Sequence, residues 1–249
     1  MKNMIRASFY KLFHDKATWI SLAGTAVWSL YVCVMLTWIA DGKLDVSDAA
    51  GAEKYWRDFM GYHGVMVPLL ISSIVLFTAE FKDKSWKLFV ARGISRTGYY
   101  FSKLPCILTL TVMLSFVAIA FGAAYGVVML GMRYDATFAV LLIRYFILQS
   151  VAHGTAAVLI LTIFFLIKIG EVSSSVNAVL LMFGTMALSK IETALSLGDA
   201  LTGAFAFAQP LRVSFTGADE WIRILIVFVA YFVACSLAVL LLGVHGDVE

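Results

Sequence analysis

Residues 104–129 read LPCILTLTVMLSFVAIAFGAAYGVVM and contain no charged side chain. A helix that crosses the hydrocarbon core of a bilayer needs about 20 mostly apolar residues, so this stretch is long enough to span a membrane. The rest of the chain has the same character, because 61% of its 249 residues are hydrophobic and only 14% are charged. A soluble domain has roughly 45–50% apolar and about 25% charged residues. The composition therefore excludes a soluble enzyme and indicates a membrane protein.

Uninterrupted apolar length predicts an all-α, polytopic membrane protein. The six predicted transmembrane helices are residues 19–40, 65–81, 104–129, 142–167, 176–188 and 222–243. The fifth is short, but serines precede it at 173–175, and their hydroxyls can bond to carbonyls of the same helix and extend it. A shorter apolar stretch follows and ends at Gln209-Pro210. We expect residues 199–216 to form a re-entrant segment between spans five and six.

The distribution of basic residues predicts the orientation of the chain. With six spans both termini lie on one side, and that side carries eleven of the 19 Lys and Arg residues. The opposite side carries the other eight, together with ten of the sixteen acidic residues. Because cytoplasmic loops are enriched in Lys and Arg, we expect both termini to be cytoplasmic.

Two segments outside the spans have an amphipathic or aromatic pattern. In residues 1–16, Ile5, Phe9 and Phe13 follow one helical stripe and Arg6 faces away, which predicts an interface helix; a disordered basic flank is the alternative. The loop after span one carries four aromatic residues, Tyr55, Trp56, Phe59 and Tyr62. Such rings favour the headgroup level, so we expect an outer-leaflet helix with an aromatic belt, a substrate gate being the alternative.

The loop after span two is the most informative segment outside the membrane. Residues 80–96 read EFKDKSWKLFVARGISR, a short apolar run set among basic residues. A helix this short is barely stable alone in water, so it needs a partner or the membrane surface. A basic loop on anionic lipid is the alternative reading.

The chain has neither a nucleotide-binding motif nor a recognisable catalytic motif. It lacks G-x-x-x-x-G-K-[ST], H-E-x-x-H, G-x-S-x-G and C-x-x-C. Polar groups inside a span are functional hypotheses by default, and span four carries Arg144, Gln149 and His153. We favour pairing within the bundle over contact with a substrate for these three side chains.

The loop after span two resembles that of the ABC-2-type transporters, the type-2 ABC exporter permeases. Members of that family typically have a glutamate at the end of the second span, then a small residue followed by threonine, a short leucine-rich helix, and a Gly/Pro-Ile-Ser-Arg step leading to a lysine at the third span. The residues that match are Glu80, Leu88-Phe89-Val90, Arg92-Gly93-Ile94-Ser95-Arg96 and Lys103. The usual Gly-Thr is replaced by Lys84-Ser85. The predicted layout of the spans also agrees with that family.

The resemblance implies that residues 82–91 form a coupling helix that docks on a separate ATPase. It assigns this ATPase interface to Glu80, Lys84, Trp86, Lys87, Leu88, Phe89, Arg92 and Arg96, with the interface helix beside it. ATP and Mg would bind to two copies of the partner ATPase, and this chain would bind no cofactor. A second permease, identical or homologous, would complete the complex in a bacterial plasma membrane, with no nucleic acid involved.

The expected function is the permease of an ATP-driven exporter. The modest length resembles exporters of amphipathic or hydrophobic peptides, such as bacteriocin, lantibiotic or peptide-toxin systems. Lipid-linked or drug-like cargo is one alternative. An ATPase-independent channel or sensor is another, although a secondary transporter would favour internal repeats or ionisable groups near the midplane.

Overall fold

A computed structural model describes residues 2–39, 46, 49–61, 65–82, 93, 95–132, 136–167, 170–215 and 220–244. Within these ranges the protein is helical and has no strand, so the predicted all-α class is confirmed. The helices are α1 Lys2–His14, α2 Lys16–Ile39, α3 Ala49–Gly61, α4 Met66–Lys82, α5 Arg96–Leu130, α6 Ala136–Ile167, α7 Gly170–Val179, α8 Thr185–Leu195, α9 Ala200–Ala204 and α10 Glu220–Val244. A π-helical turn, Leu180–Gly184, joins α7 to α8, and a 3-10 helix, Ala206–Arg212, follows α9.

In the described part of the chain, five helical stretches are long and apolar enough to cross a membrane. They are Lys16–Ile39, Thr97–Leu130, Ala136–Ile167, Glu171–Leu195 and Trp221–Leu242. The predicted second span corresponds to α4, whose 17 residues measure about 25 Å, less than the ~30 Å of a hydrocarbon core. The protein is thus a polytopic membrane protein, and the count of six spans stays a prediction.

The predicted fifth span, 176–188, is too short, because the structure continues the helix over Glu171–Leu195. Serines and a lysine at its two ends interrupt the apolar run without ending the helix. Ser175 Oγ donates to the Glu171 carbonyl oxygen at 3.0 Å, one turn earlier, so this serine satisfies its hydroxyl on its own helix. The predicted extension through these serines therefore occurs, and it reaches beyond both predicted limits.

The centre of the bundle is α6, which packs against α5 and α10, and α5 also packs against α2. Small residues allow these close approaches: Ala152, Ala156 and Ala157 are fully buried on α6. At Gly154 an added Cβ would lie 3.3 Å from the Phe228 ring of α10. The absence of a side chain at Gly154 lets the ring of Phe228 approach the backbone of α6.

The two ends of the bundle are built differently. At one end α1 packs along α5 and lies beside Leu76 and Phe77 of α4. At the opposite end α3 contacts the 3-10 helix, which also packs on α6. We call α3 and residues 200–215 together the cap.

The predicted aromatic belt on α3 is wrong, although the predicted helix is present. Tyr55, Trp56 and Phe59 are fully buried, and Tyr62 lies outside the described residues. The rings fit against α5 because Gly122 has no side chain: a Cβ there would lie 3.2 Å from the Phe59 and Trp56 rings. Tyr55 also donates from its hydroxyl to the Gly122 carbonyl oxygen at 2.8 Å. The apolar face of α3 is therefore covered by protein.

Candidate functional site

Most of the expected ATPase interface lies outside the described residues. This applies to Lys84, Trp86, Lys87, Leu88, Phe89 and Arg92, to the 82–91 coupling helix beyond Lys82, and to the side chains of Glu80 and Arg96. Two other residues of the matching motif have clear structural roles. Gly93 has φ +80°, a conformation that favours glycine, and Ser95 Oγ accepts from the Gly98 N–H at 3.1 Å as the N-cap of α5. Standard capping rules would have predicted this role of Ser95.

A helix, α1, is present where the interface helix was predicted, and it lies against the end of the bundle. Leu12 is buried, Ile5 and Phe9 are half-buried, and Arg6 is exposed. Phe13 is 43% exposed. The apolar stripe of α1 therefore faces protein for most of its length and leaves Arg6 and Phe13 accessible to lipid or a partner.

Two hydrogen bonds hold α1 in this position at its junction with α2, which is the single residue Asp15. Asp15 Oδ1 accepts from the Ala17 N–H at 2.9 Å, which satisfies a free donor in the first turn of α2. Trp19 Nε1 donates to the Phe13 carbonyl oxygen at 3.0 Å. These two contacts hold the end of α1 beside the start of α2.

Gln149 is the centre of a buried polar cluster under the cap. Its Nε2 atom donates to the Tyr145 hydroxyl oxygen at 2.9 Å and to the Pro210 carbonyl oxygen at 3.0 Å. The Tyr145 hydroxyl in turn donates to the Trp56 carbonyl oxygen at 3.2 Å. Both side chains come from α6, so this helix is hydrogen-bonded to both parts of the cap.

The structure brings His153 to the same cluster. His153 is 1% exposed, and its Nδ1 atom lies 2.7 Å from the Gln149 carbonyl oxygen, one turn earlier. A carbonyl oxygen only accepts, so we assign the proton to Nδ1. Arg144 lies on the same helix and is half-buried. In this arrangement Gln149 and His153 are enclosed by protein.

The two parts of the cap are also joined directly, and of the residues involved the sequence analysis singled out only Trp56. Phe215 stacks on Trp56, with ring centroids 5.7 Å apart and planes 12° apart. Ser214 Oγ donates to Glu53 Oε1 at 2.9 Å. Tyr145 was also missed, although its i, i+4 spacing from Gln149 placed it on the same helical face.

A second group of polar contacts attaches the cap to α8. Glu192 accepts from the Thr202 N–H at 2.7 Å and from the Thr202 hydroxyl. Arg212 Nη2 donates to the same hydroxyl oxygen at 2.7 Å and lies 3.4 Å from Asp199 Oδ2. Segment 200–215 is therefore fastened to α6 on one side and to α8 on the other.

The arrangement closes one end of the bundle with hydrogen bonds and stacked rings. Among the described side chains, no three His, Cys, Asp or Glu residues converge as ligands for a metal ion would. The cluster can hold the cap shut, and its bonds must break if the cap is to move.

The comparison with protein families gives one match. The sequence model described as ABC-2 family transporter protein matches residues 4–187, nearly three-quarters of the chain. The match begins in α1 and ends in the first turn of α8. The comparison with curated proteins gave no significant match. The chain therefore belongs to the ABC-2 transporter family, as a multi-pass permease component of an ABC transporter.

Proposed function

We propose that this permease works with a separate ATP-binding-cassette ATPase and exports amphipathic or hydrophobic peptides. The observation that carries the proposal is the family match over residues 4–187. The chain itself has no phosphate-binding loop sequence, so a partner chain must supply ATP hydrolysis. Two ATPases and a second permease, identical or homologous, complete the complex.

The ATPase docks on the loop between α4 and α5. Trp86, Leu88 and Phe89 are its apolar anchors, because aromatic residues dominate interface energetics, and the surrounding Lys and Arg residues steer the approach. The position of α1 supports this assignment, since α1 packs beside the two helices that flank the loop. Both termini then lie on the cytoplasmic side of a bacterial plasma membrane, and the cap lies on the outer side.

Transport follows from the different affinities of the ATPase states for this loop. Only such a difference can shift the permease between closed and open arrangements. Opening on the outer side breaks the bonds from Gln149 to Pro210 and from Tyr145 to Trp56. Each bond contributes about 0.5–1.5 kcal/mol net, so these two bonds alone oppose opening by roughly 1–3 kcal/mol.

An apolar groove on the protein supports the proposed cargo class. A groove of about 380 Å³ lies between α2 and α4, lined mainly by apolar residues with a few hydroxyl groups. Two of these hydroxyls, on Thr25 and Ser72, already donate to carbonyls of their own helices. A surface of this kind suits apolar side chains of a cargo that arrives from the bilayer.

Affinity purification of the tagged protein in mild detergent tests the ATPase partner. We expect an ATP-binding-cassette subunit to co-purify from the source cells and to be lost on Trp86→Ala. The matched control is Trp38→Ala, because Trp38 is 76% exposed on the last turn of α2, away from the loop. A stable permease complex without any ATPase contradicts the proposal and favours a channel or sensor.

Transport of fluorescent peptides by the purified complex in lipid vesicles tests the cargo. We expect ATP-dependent movement of amphipathic helical peptides and none of equally long polar peptides. If the complex with its bound ATPase moves lipid-linked or drug-like probes instead, the peptide cargo is contradicted, whereas the proposed ATPase partner is not.

A further inference from the structure

The α7–α8 helix, Glu171–Leu195, has two halves that contact different parts of the protein. The α7 half packs against α4 and α6, and buries Ser173 and Asn177. The α8 half packs closely on α9 and on the π-helical turn, and Glu192 alone of its eleven residues is buried. This helix is also the least buried of the five membrane-crossing stretches described. One half is therefore packed in the bundle, and the other half is attached to the cap.

The boundary between the two halves is the π-helical turn Leu180–Gly184. A π-helical turn accommodates one extra residue, and such turns are frequent at functional sites and at helix kinks. One residue corresponds to about 100° of rotation in an α-helix, so the extra residue changes which face of α8 is turned toward its neighbours. The turn is thus a place where the helix can bend without losing its backbone hydrogen bonding.

The Phe205 ring packs directly on the last residue of this turn. A Cβ atom added at Gly184 would lie 2.6 Å from Phe205 Cζ and 2.9 Å from Cε1, closer than real Cβ contacts. Phe205 is itself fixed in the cap, because its carbonyl oxygen accepts from the Ala208 N–H at 3.0 Å and from Gln209 Nε2 at 3.1 Å. Gly184 is therefore required for this contact.

A second attachment makes α8 and segment 200–215 move together. Glu192 lies about two turns beyond Gly184, and its carboxylate accepts from both the N–H and the hydroxyl of Thr202. Segment 200–215 is therefore held at two levels: the Phe205 ring contacts the π-helical turn at Gly184, and the Glu192 hydrogen bonds join the segment to α8 itself. The α7 half has no part in either attachment.

We propose that the π-helical turn Leu180–Gly184 is a hinge, on which α8 and segment 200–215 swing as one arm. The contact of Phe205 with Gly184 is the stop that sets the closed position of the arm. When the bond from Gln149 to Pro210 and the contacts of residues 214–215 with α3 break, the arm turns at the π-helical turn while α7 stays packed in the bundle. The hinge goes beyond the proposed function and does not depend on the cargo or on the ATPase.

Distance measurements on the full chain in lipid nanodiscs, without an ATPase, test the hinge. Spin labels are placed at Ile191 on α8 and Ile147 on α6, which are 44% and 54% exposed. The three native cysteines, Cys33, Cys106 and Cys235, are buried and are replaced by serine. We expect one narrow distance distribution in the parent chain and a shifted or broadened one in Gly184→Ala, whose new methyl group displaces the ring.

A double-mutant cycle makes the test specific. Phe205→Ala removes the stop and broadens the distribution, and adding Gly184→Ala to it changes nothing further. Gly24→Ala is the matched control, since a Cβ at Gly24 meets no atom within 4 Å, and it leaves the distribution unchanged. An equal effect of Gly184→Ala with and without Phe205 overturns the proposal.

A third variant acts on the hinge itself. Deleting Met182, which is 66% exposed, converts the π-helical turn to an α-helical turn. The resulting rotation of about 100° moves a label that is ~5–6 Å from the helix axis by about 8 Å. An unchanged distance after the deletion overturns the hinge. If Gly184→Ala fails to fold, Phe205→Leu tests the same contact. It removes the ring that packs on Gly184, so we expect it to broaden the distance distribution as Phe205→Ala does.

Discussion

Replacing Tyr145 with Phe tests whether its hydroxyl group holds the cap closed. The substitution keeps the ring, which contacts Trp56 and Phe215 at centroid distances of 5.6 Å and 5.4 Å, and removes only the hydroxyl. Two hydrogen bonds are lost, one with Gln149 and one with Trp56. At about 0.5–1.5 kcal/mol each, the cap loses roughly 1–3 kcal/mol of stability. Each 1.4 kcal/mol is a factor of ten, so the open population rises roughly 5- to 150-fold.

Hydrogen exchange followed by mass spectrometry measures this local opening. We expect faster exchange in peptides from α3 and from residues 200–215, with α1 and the first half of α5 unchanged. Tyr100→Phe is the matched control: Tyr100 is also fully buried, and its hydroxyl bonds at 3.1 Å to Thr162 at the other end of the bundle. Equal exchange rates in the cap of the parent chain and Tyr145→Phe, or the same cap opening in Tyr100→Phe, refute the reasoning.

Three further substitutions test the packing of the fold by thermal unfolding in detergent. Gly122→Leu forces a side chain against the rings of α3 and lowers stability by about 1–3 kcal/mol. Gly24→Leu is the control and has little effect, because its side chain enters open space. Equal losses of stability in the two variants would contradict the assigned packing. Ser95→Ala removes the N-cap hydrogen bond of α5 and lowers the free energy of unfolding by about 0.5–2 kcal/mol, whereas Ser95→Asp keeps an N-cap acceptor and restores stability. If the aspartate variant does not restore stability, residue 95 is not acting as an N-cap. Leu12→Ala, at a site 4% exposed, lowers the free energy of unfolding by about 2–5 kcal/mol and increases proteolysis within α1. Phe13→Ala is the control and has neither effect. If α1 of the Leu12 variant resists the protease as well as the parent chain does, α1 does not depend on this contact.

The sequence predicted the membrane-crossing helices well because each of them is visible as a long apolar run within its own segment. The helices α2, α5, α6 and α10 contain almost all of the predicted spans, and each begins within about two turns of its predicted start. The presence of helix α1 was equally predictable, since its apolar stripe is a local property, and its role as an interface helix stays a prediction. The fifth span was predicted too short because polar residues at its ends bond to their own helix and stay helical, as Ser175 does.

The closure of the cap was not predictable from local patterns. The face of α3 with Tyr55 and Trp56 is apolar whether lipid or protein covers it, so its burial depends on Gly122, more than 60 residues away. The bond from Gln149 to Pro210 likewise joins residues 61 positions apart. Gln149 was identified as a polar group inside a span, but its partner Pro210 is set by the tertiary fold, whereas His153 bonds to the Gln149 carbonyl oxygen of its own helix.

Helix α5 connects the two ends of the protein in a single piece. It begins next to the loop assigned to the ATPase and ends at Gly131, whose φ of +68° closes the helix. Pro105 is the tenth residue of the helix and lacks an N–H group, which makes it the natural pivot. The remaining 25 residues form a lever arm of about 38 Å, so a tilt of about 5° at the pivot displaces the far end by ~3 Å. That displacement is comparable to the length of the Tyr55–Gly122 hydrogen bond, which joins α5 to the cap, so a small rotation at the end of α5 next to the loop is enough to break it.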